Sequence, residues 1–440
     1  MSRSLASRVA RARRARGGFT LVELLVATVA GLIVATSVIA LSRDATTTFQ
    51  EEIRASAAES SLRLAAERLR ADIQRAGYMG TPNAYNDPAI ERGTNQYGTV
   101  YDATHPGIKN MVGLTLTNGG STDATYTNAA TVASYSGFNA LNPDTVTVSG
   151  NMTTSDQYLG NYMAGQGGCG VARFQFSNDD PAVARLLQTG VRDAFNPARD
   201  SAGAPIGAAR FMARVFDPGR NRFAIVPVCA TSAPGANPGW IDIDGPGIPF
   251  PDVQNGITLT SWVANPVQTV RWRVRRSSGA SVVNMDPPVF PDARFELVRE
   301  WLDATLDPYA KGAPIGEAEV VAEYAVDLKL AFTGEDNITT HNVTQLDFEK
   351  ASILNETWTT SRTNVTPVGP APQRIRSVRY RLATRASLPD RERNIAPVFG
   401  TVGGSNYLYR YCFDAACTGK LARVRTFVGE VSLVNQSRVF

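Results

Sequence analysis

The strongest constraint on this chain is the apolar run FTLVELLVATVAGLIVATSVIAL, Phe19 to Leu41, in which Glu23 is the only ionisable residue. As a helix such a run spans roughly 35 Å, long enough to cross a bilayer. Six arginines (Arg3, Arg8, Arg11, Arg13, Arg14, Arg16) precede it without one acid. By the positive-inside rule this block stays in the cytoplasm and everything after Leu41 lies across the membrane. A secretory signal peptide expects a shorter apolar core and a defined small-residue cleavage site, and only the indistinct VIALS is present; a plain signal anchor is the third reading. Glu23 separates the three. A carboxylate one turn inside an apolar span costs about 2.5 to 3.5 kcal/mol unless something compensates it, and a passive anchor has no use for it. A cut between Gly18 and Phe19 would place a new α-amino group close by, and the carboxylate could pair with the amine of a neighbouring chain.

The same arginines account for the net charge of +4, since without them 38 basic side chains face 40 acidic ones. The excess is a topology signal, and nucleic acid is not an expected partner. Four cysteines, Cys169, Cys229, Cys412 and Cys417, contain no CxxC pair, and His105 and His341 are the only histidines, so zinc is not expected. In an exported chain four cysteines are read as two disulfides, with free thiols as the alternative. The short separation favours Cys412 to Cys417, leaving a long-range Cys169 to Cys229.

RGGFTLVELLVA, residues 16–27, resembles the type III signal of type IV pilins and pseudopilins. The resemblance implies a leader, 1–18, cut by a membrane aspartic prepilin peptidase between Gly18 and Phe19. It also implies N-methylation of Phe19 and a role for Glu23 in recruitment into the filament.

No proline interrupts Phe19 to Gly80, so the periodicity predicts a helix that continues past the apolar span, 19–41, through an amphipathic part, 42–80. Ala55, Ala58, Leu62, Ala66, Leu69, Ile73 and Ala76 form one stripe suited to lie on a sheet. Glu59 with Arg63, Arg63 with Glu67, Arg68 with Asp72 and Asp72 with Arg75 are spaced as solvated helix pairs. Gly77 is placed to end the helix, with Pro82 beyond. RLAAERLRADIQRAGYMG, Arg63 to Gly80, resembles PilW-like minor pilins, and RWRVRR, FELVREW and VRYRL resemble their carboxy-terminal half.

Residues 81–266 read as a loop-rich insertion containing short strands such as Thr145 to Val148 and Arg173 to Phe176. In 267–440, alternation at Val270, Trp272 and Val274, at Val326 to Phe332, and at Val378, Tyr380 and Leu382 predicts an antiparallel sheet, with a last strand over Val424 to Val434. The fold class is therefore α+β, a long helix packed on a sheet. Strand arginines such as Arg271, Arg273, Arg275, Arg379 and Arg381 read as a solvated face.

No catalytic, cofactor or metal site is expected. Gly165, Gly167 and Gly170 spell GxGxxG outside the strand-to-helix context that a dinucleotide needs. Asp242, Asp244 and Gly245 are a fragment of a calcium loop and read as a turn. Asn151, Asn337, Asn342, Asn355, Asn364 and Asn435 begin chance N-x-S/T sequons. The resemblance points to a minor pilin of a type IV pilus that contributes to assembly priming or the tip. Its partners would be prepilin peptidase, other minor pilins, the major pilin, the inner-membrane assembly platform and a tip adhesin. It implies residence in the inner membrane before assembly, with a periplasmic head, and at the cell surface afterwards. The alternatives are a J-like pseudopilin of type II secretion, which is usually much smaller, and a pilin-anchored adhesin.

Overall fold

The computed structural model describes residues 19–91, 106–118, 143–166, 168, 172–206, 211–244, 258–276, 295–303, 314–346, 348, 352–364, 366–387, 410–412 and 421–436. The leader 1–18, with Gly18, lies outside them, as do His105, Gly167, Cys169, Gly170, Gly245 and Cys417. The chain adopts the expected α+β class: a long amino-terminal helix, α1 (Leu21–Gln74), and antiparallel sheets. Residues 1–54 and residues from Ala55 onward are separate compact units.

In the second unit α1 buries Leu62, Ala65, Ala66, Leu69 and Ile73, the expected stripe with Ala65 added. Ala55 and Ala58 are only half-buried. The helix stops before Gly77, whose φ of 70° suits the left-handed turn that ends it. Asn435 Nδ2 donates to the terminal carbonyl of Gln74 at 2.9 Å, satisfying one of the acceptors a helix end leaves open. The turn after the helix lies against Gly150, where an added Cβ would sit 2.4 Å from the Arg75 oxygen. Beyond it, α2 (Pro106–Lys109) sends Ile108 into a cluster with Ala84, Met111, Phe223, Ile225 and Val267.

Strands β1 (Leu114–Thr117) and β2 (Thr145–Gly150) pair with each other. Next come β3 (Tyr158–Ala164), β4 (Ala172–Phe176), helices α3 (Pro181–Thr189) and α4 (Val191–Phe195), β5 (Phe211–Asp217), β6 (Arg222–Thr231), β7 (Trp240–Ile243) and the 19-residue β8 (Thr258–Arg276). The first half of β8 pairs with β3 on one edge and β5 on the other. This closes a six-stranded antiparallel barrel in the order β8-β3-β4-β7-β6-β5. Alternate residues supply its core: Tyr158, Tyr162, Phe174, Phe176 and Trp262 fit against Ala172, Ala213, Ala224 and Ala264, with Tyr162 and Trp262 stacked at 5.8 Å. Large and small side chains together fill a small barrel to side-chain density.

The second half of β8 leaves the barrel and joins a sheet β1-β2-β8-β9-β10, with β9 (Phe295–Leu302) and β10 (Pro314–Glu323). The division expected at residues 266 and 267 falls inside this one strand, and β1 and β2, from the expected insertion, belong to the sheet under the helix. A second sheet runs β12-β11-β13-β15-β14, from β11 (Ala325–Asn337), β12 (Asn342–Gln345), β13 (Ile375–Arg385), β14 (Arg410–Cys412) and β15 (Leu421–Ser432). One core joins α1 to both sheets through Val270, Trp272, Val274, Leu328, Leu330, Phe332, Val378, Tyr380 and Leu382. Asp144 staples the sheets: its N–H donates to Leu328 O at 2.7 Å and its Oδ2 accepts from Leu330 N–H at 3.1 Å.

Two expectations about charge need correction. Of the helix pairs, Glu59 with Arg63 forms at 2.6 Å, but Arg68 reaches Glu319 and Asp72 turns into the core. There Asp72 Oδ2 accepts from Trp272 Nε1 at 2.8 Å and Arg299 Nε at 2.7 Å. The strand arginines are not a solvated face either: Arg273, Arg299, Arg381 and Arg385 are buried. Arg271 and Arg273 converge on Glu300, each at 2.8 Å. Burial opposes ionisation of Glu300, but the two guanidiniums outweigh it and hold the carboxyl below its ordinary range.

Candidate functional site

The amino-terminal segment is built around one local device. Thr20 is the residue before α1 and Glu23 stands three positions later, the spacing of a reciprocal helix cap. Thr20 N–H and Thr20 Oγ1 both donate to Glu23 Oε2 at 3.0 Å, and Glu23 N–H donates to Thr20 Oγ1 at 3.2 Å. Glu23 thus has a partner in its own turn, one that reading the apolar run for charge alone did not reveal. The T-x-x-E spacing was the signal that could have found it.

Along the span, hydroxyls bond back into the helix. Thr28 Oγ1 donates to Leu25 O at 2.9 Å, Thr36 Oγ1 to Leu32 O at 2.8 Å and Ser37 Oγ to Ile33 O at 2.8 Å. This internal satisfaction is what a helix needs where no water is available. The apolar window has a mean hydropathy of 2.5 and none of it is buried in the chain's own fold. Phe19 is exposed, as are Leu21, Leu25, Val29, Leu32 and Ile39. Such a surface calls for lipid or other helices.

The other singled-out residues do not gather into a second centre among the described residues. Asp242 is fully buried in β7, bound by Arg173 at 2.7 Å and by the Gly168 N–H at 2.7 Å, so both its oxygens are engaged. Cys229 is disulfide-bonded, and its Sγ lies 3.5 Å from the Asp242 carbonyl oxygen. Cys169, Cys417 and the side chain of Cys412 fall outside the described residues, so the expected pairing is not seen. His341 Nδ1 lies 2.6 Å from Glu335 Oε1 on the β11–β12 hairpin. Asn151, at the first sequon, is fully buried and accepts from Thr154 N–H at 3.0 Å. No group of three or more His, Cys, Asp or Glu side chains is placed to hold a metal among the described residues.

The prokaryotic N-terminal methylation motif matches residues 13–39, which takes in Arg13, Arg14 and Arg16 of the basic block, Gly18, Phe19, Glu23 and most of the apolar span. No curated protein and no solved structure matches the chain. The motif and the apolar helix together support a type IV pilin-like, membrane-anchored protein processed by a prepilin peptidase.

Proposed function

We propose that this chain is a minor pilin of a type IV pilus, of the PilW-like kind, that contributes to assembly priming or the tip complex and carries no catalytic activity. The observation that carries the reading is the wholly uncovered apolar helix beginning directly after the Gly18–Phe19 bond inside a methylation motif. In this account the arginine block holds the bond at the cytoplasmic face and the peptidase cuts it. The span then leaves lipid for helix contacts in a filament. Glu23 acts there through its charge, pairing with the α-amino group of a neighbouring subunit's first residue. The barrel and sheets form a bulky head suited to a few copies near one end. Other minor pilins, the major pilin, the assembly platform and a tip adhesin are its proposed partners. A mature chain beginning at Phe19, seen by intact mass in sheared pili, supports this; a filament subunit retaining Arg16 and Gly17 contradicts it.

A further inference from the structure

Asp144, the residue that staples the two sheets, faces a primary amine. Lys329 Nζ on β11 donates to Asp144 Oδ1 at 2.8 Å, and the two side chains are 8% and 1% exposed. Elsewhere in the head the buried acids Asp72, Glu300 and Asp327 meet arginine instead. A guanidinium keeps its charge in any protein setting, whereas the ammonium of a lysine can give up its proton and leave a nucleophile. The pair is also fixed in place. Lys329 lies mid-strand between Leu328 and Leu330, whose backbone groups hold Asp144 by its N–H at 2.7 Å and by its Oδ2 at 3.1 Å. The amine therefore rests against the carboxyl group with little freedom to leave it, the condition under which an intramolecular reaction gains most.

A third acid stands beside them. Asp327 is two positions before Lys329 on β11, which puts both side chains on one face of the strand. It is fully buried: Oδ2 accepts from Arg381 Nε at 3.1 Å, and Oδ1 meets no donor. Burial pushes its carboxyl up to about 6, and the charges of Lys329 and Asp144 are both felt there. Near neutrality such a group can take a proton and give one back. Four ionic groups thus share a volume closed to water, and joining two of them would remove two charges from it.

We propose that Lys329 and Asp144 condense into an intramolecular isopeptide bond, with Asp327 relaying the proton. The ammonium first passes a proton to the carboxylate, giving a neutral amine beside a neutral acid. The nitrogen lone pair then attacks Asp144 Cγ and a C–N bond forms. Asp327 takes a proton from that nitrogen and returns one to the departing oxygen, the C–O bond breaks, and one water leaves. An ammonium and a carboxylate become one amide and one water, so the step draws on no other reactant. The bond ties β11 to the residue before β2, 185 positions away, and makes the contact between the two sheets covalent. Such a link keeps the sheets together in denaturant or under force. The inference rests on the head alone and stands apart from the pilin reading.

The test is the intact mass of the full mature chain, reduced and denatured, followed by peptide mapping. The wild type should be lighter than its processed sequence by one water, and trypsin should fail to cut after Lys329. One branched peptide should carry both Asp144 and Lys329. Lys329→Arg keeps the ion pair but should restore the full mass. Asp327→Asn should leave most of the chain unlinked, since a positioned proton relay is worth about a hundredfold or more in rate. The wild-type reading stands even where a variant fails to fold. A wild-type chain at full mass and cut after Lys329 would overturn the proposal, as would a missing water that maps to any other pair of residues. Linkage at the wild-type level in Asp327→Asn would overturn the relay.

Discussion

Two stretches of α1 treat apolar surface in opposite ways. From Leu21 to Leu41 leucine, valine and isoleucine point in every direction and none is covered. From Leu62 to Ile73 a single stripe is apolar and two sheets cover it. Each stretch also holds one carboxylate in an apolar setting. Asp72 finds Trp272 and Arg299 on the sheet, whereas among the described residues Glu23 finds only Thr20 in its own first turn. A group whose partners lie within the fold serves stability. One whose surroundings are left uncovered points to something outside the chain.

The comparison breaks most visibly at Asp72. Asp72→Ala leaves the Trp272 indole N–H buried and unmatched and the buried Arg299 guanidinium with only the half-exposed Glu319 at 3.9 Å as a carboxylate, and should destabilise the head by about 3 kcal/mol in a urea titration. Glu23→Ala should leave that same midpoint unchanged. A loss under about 1 kcal/mol at Asp72 would mean that the helix is held by its apolar stripe alone.

A second effect separates head from anchor by pH. Burial pushes Asp327 up to about 6 against Arg381 and Lys329, with Asp144 adding to the rise. A carboxyl whose pKa is raised on folding binds its proton more tightly in the native state. Its contribution to stability therefore grows as pH falls from about 7 towards its ordinary range near 4. The gain, of roughly 2 kcal/mol, should vanish in Asp327→Asn. It is best read as a wild-type minus variant difference, because Glu300 titrates in the opposite sense. A difference that stays flat across this window would contradict the burial argument.

Thr20→Val removes the cap and should lower helicity at the start of α1 in micelles by an amount equivalent to about 1 kcal/mol, with the head unaffected. The smallest effect belongs to the exposed pair, where Glu59→Ala should change stability by no more than about 0.5 kcal/mol.

Much of this molecule can be read from residue order because its signals are local. The apolar run, the stripe from Leu62 to Ile73 and the alternation at Val270, Trp272 and Val274 each depend on neighbours within a few positions. The barrel is different. Its closure depends on β8 pairing with β3 and β5 at once, contacts far apart in sequence, such as Val215 with Ala264, 49 positions apart, and Tyr158 with Ala264, 106 positions apart. Its interior alanines carry little strand signal of their own. Alternation in RWRVRR placed Arg271 and Arg273 on the face opposite Trp272, but only the fold shows that Glu300 and burial await them there. Asp72 looked like a helix-pair residue because Arg68 and Arg75 stand at the right spacing, and the stronger pull of Arg299 came from 227 positions away.

The claim that Glu23 acts between chains through its charge has one direct measurement, which separates charge from cap. Glu23→Gln keeps a side chain able to complete the reciprocal cap but removes the charge, while Thr20→Val removes the cap and keeps the charge. Cells expressing each variant are fractionated, and membranes and sheared pili are compared by immunoblot. Glu23→Gln should be cleaved and retained in the membrane but strongly depleted from pili, because the partner amine would enter the filament uncompensated. Thr20→Val should still assemble. Wild-type levels of Glu23→Gln in pili, with Thr20→Val absent from them, would show that Glu23 is a helix cap and contradict its role between subunits.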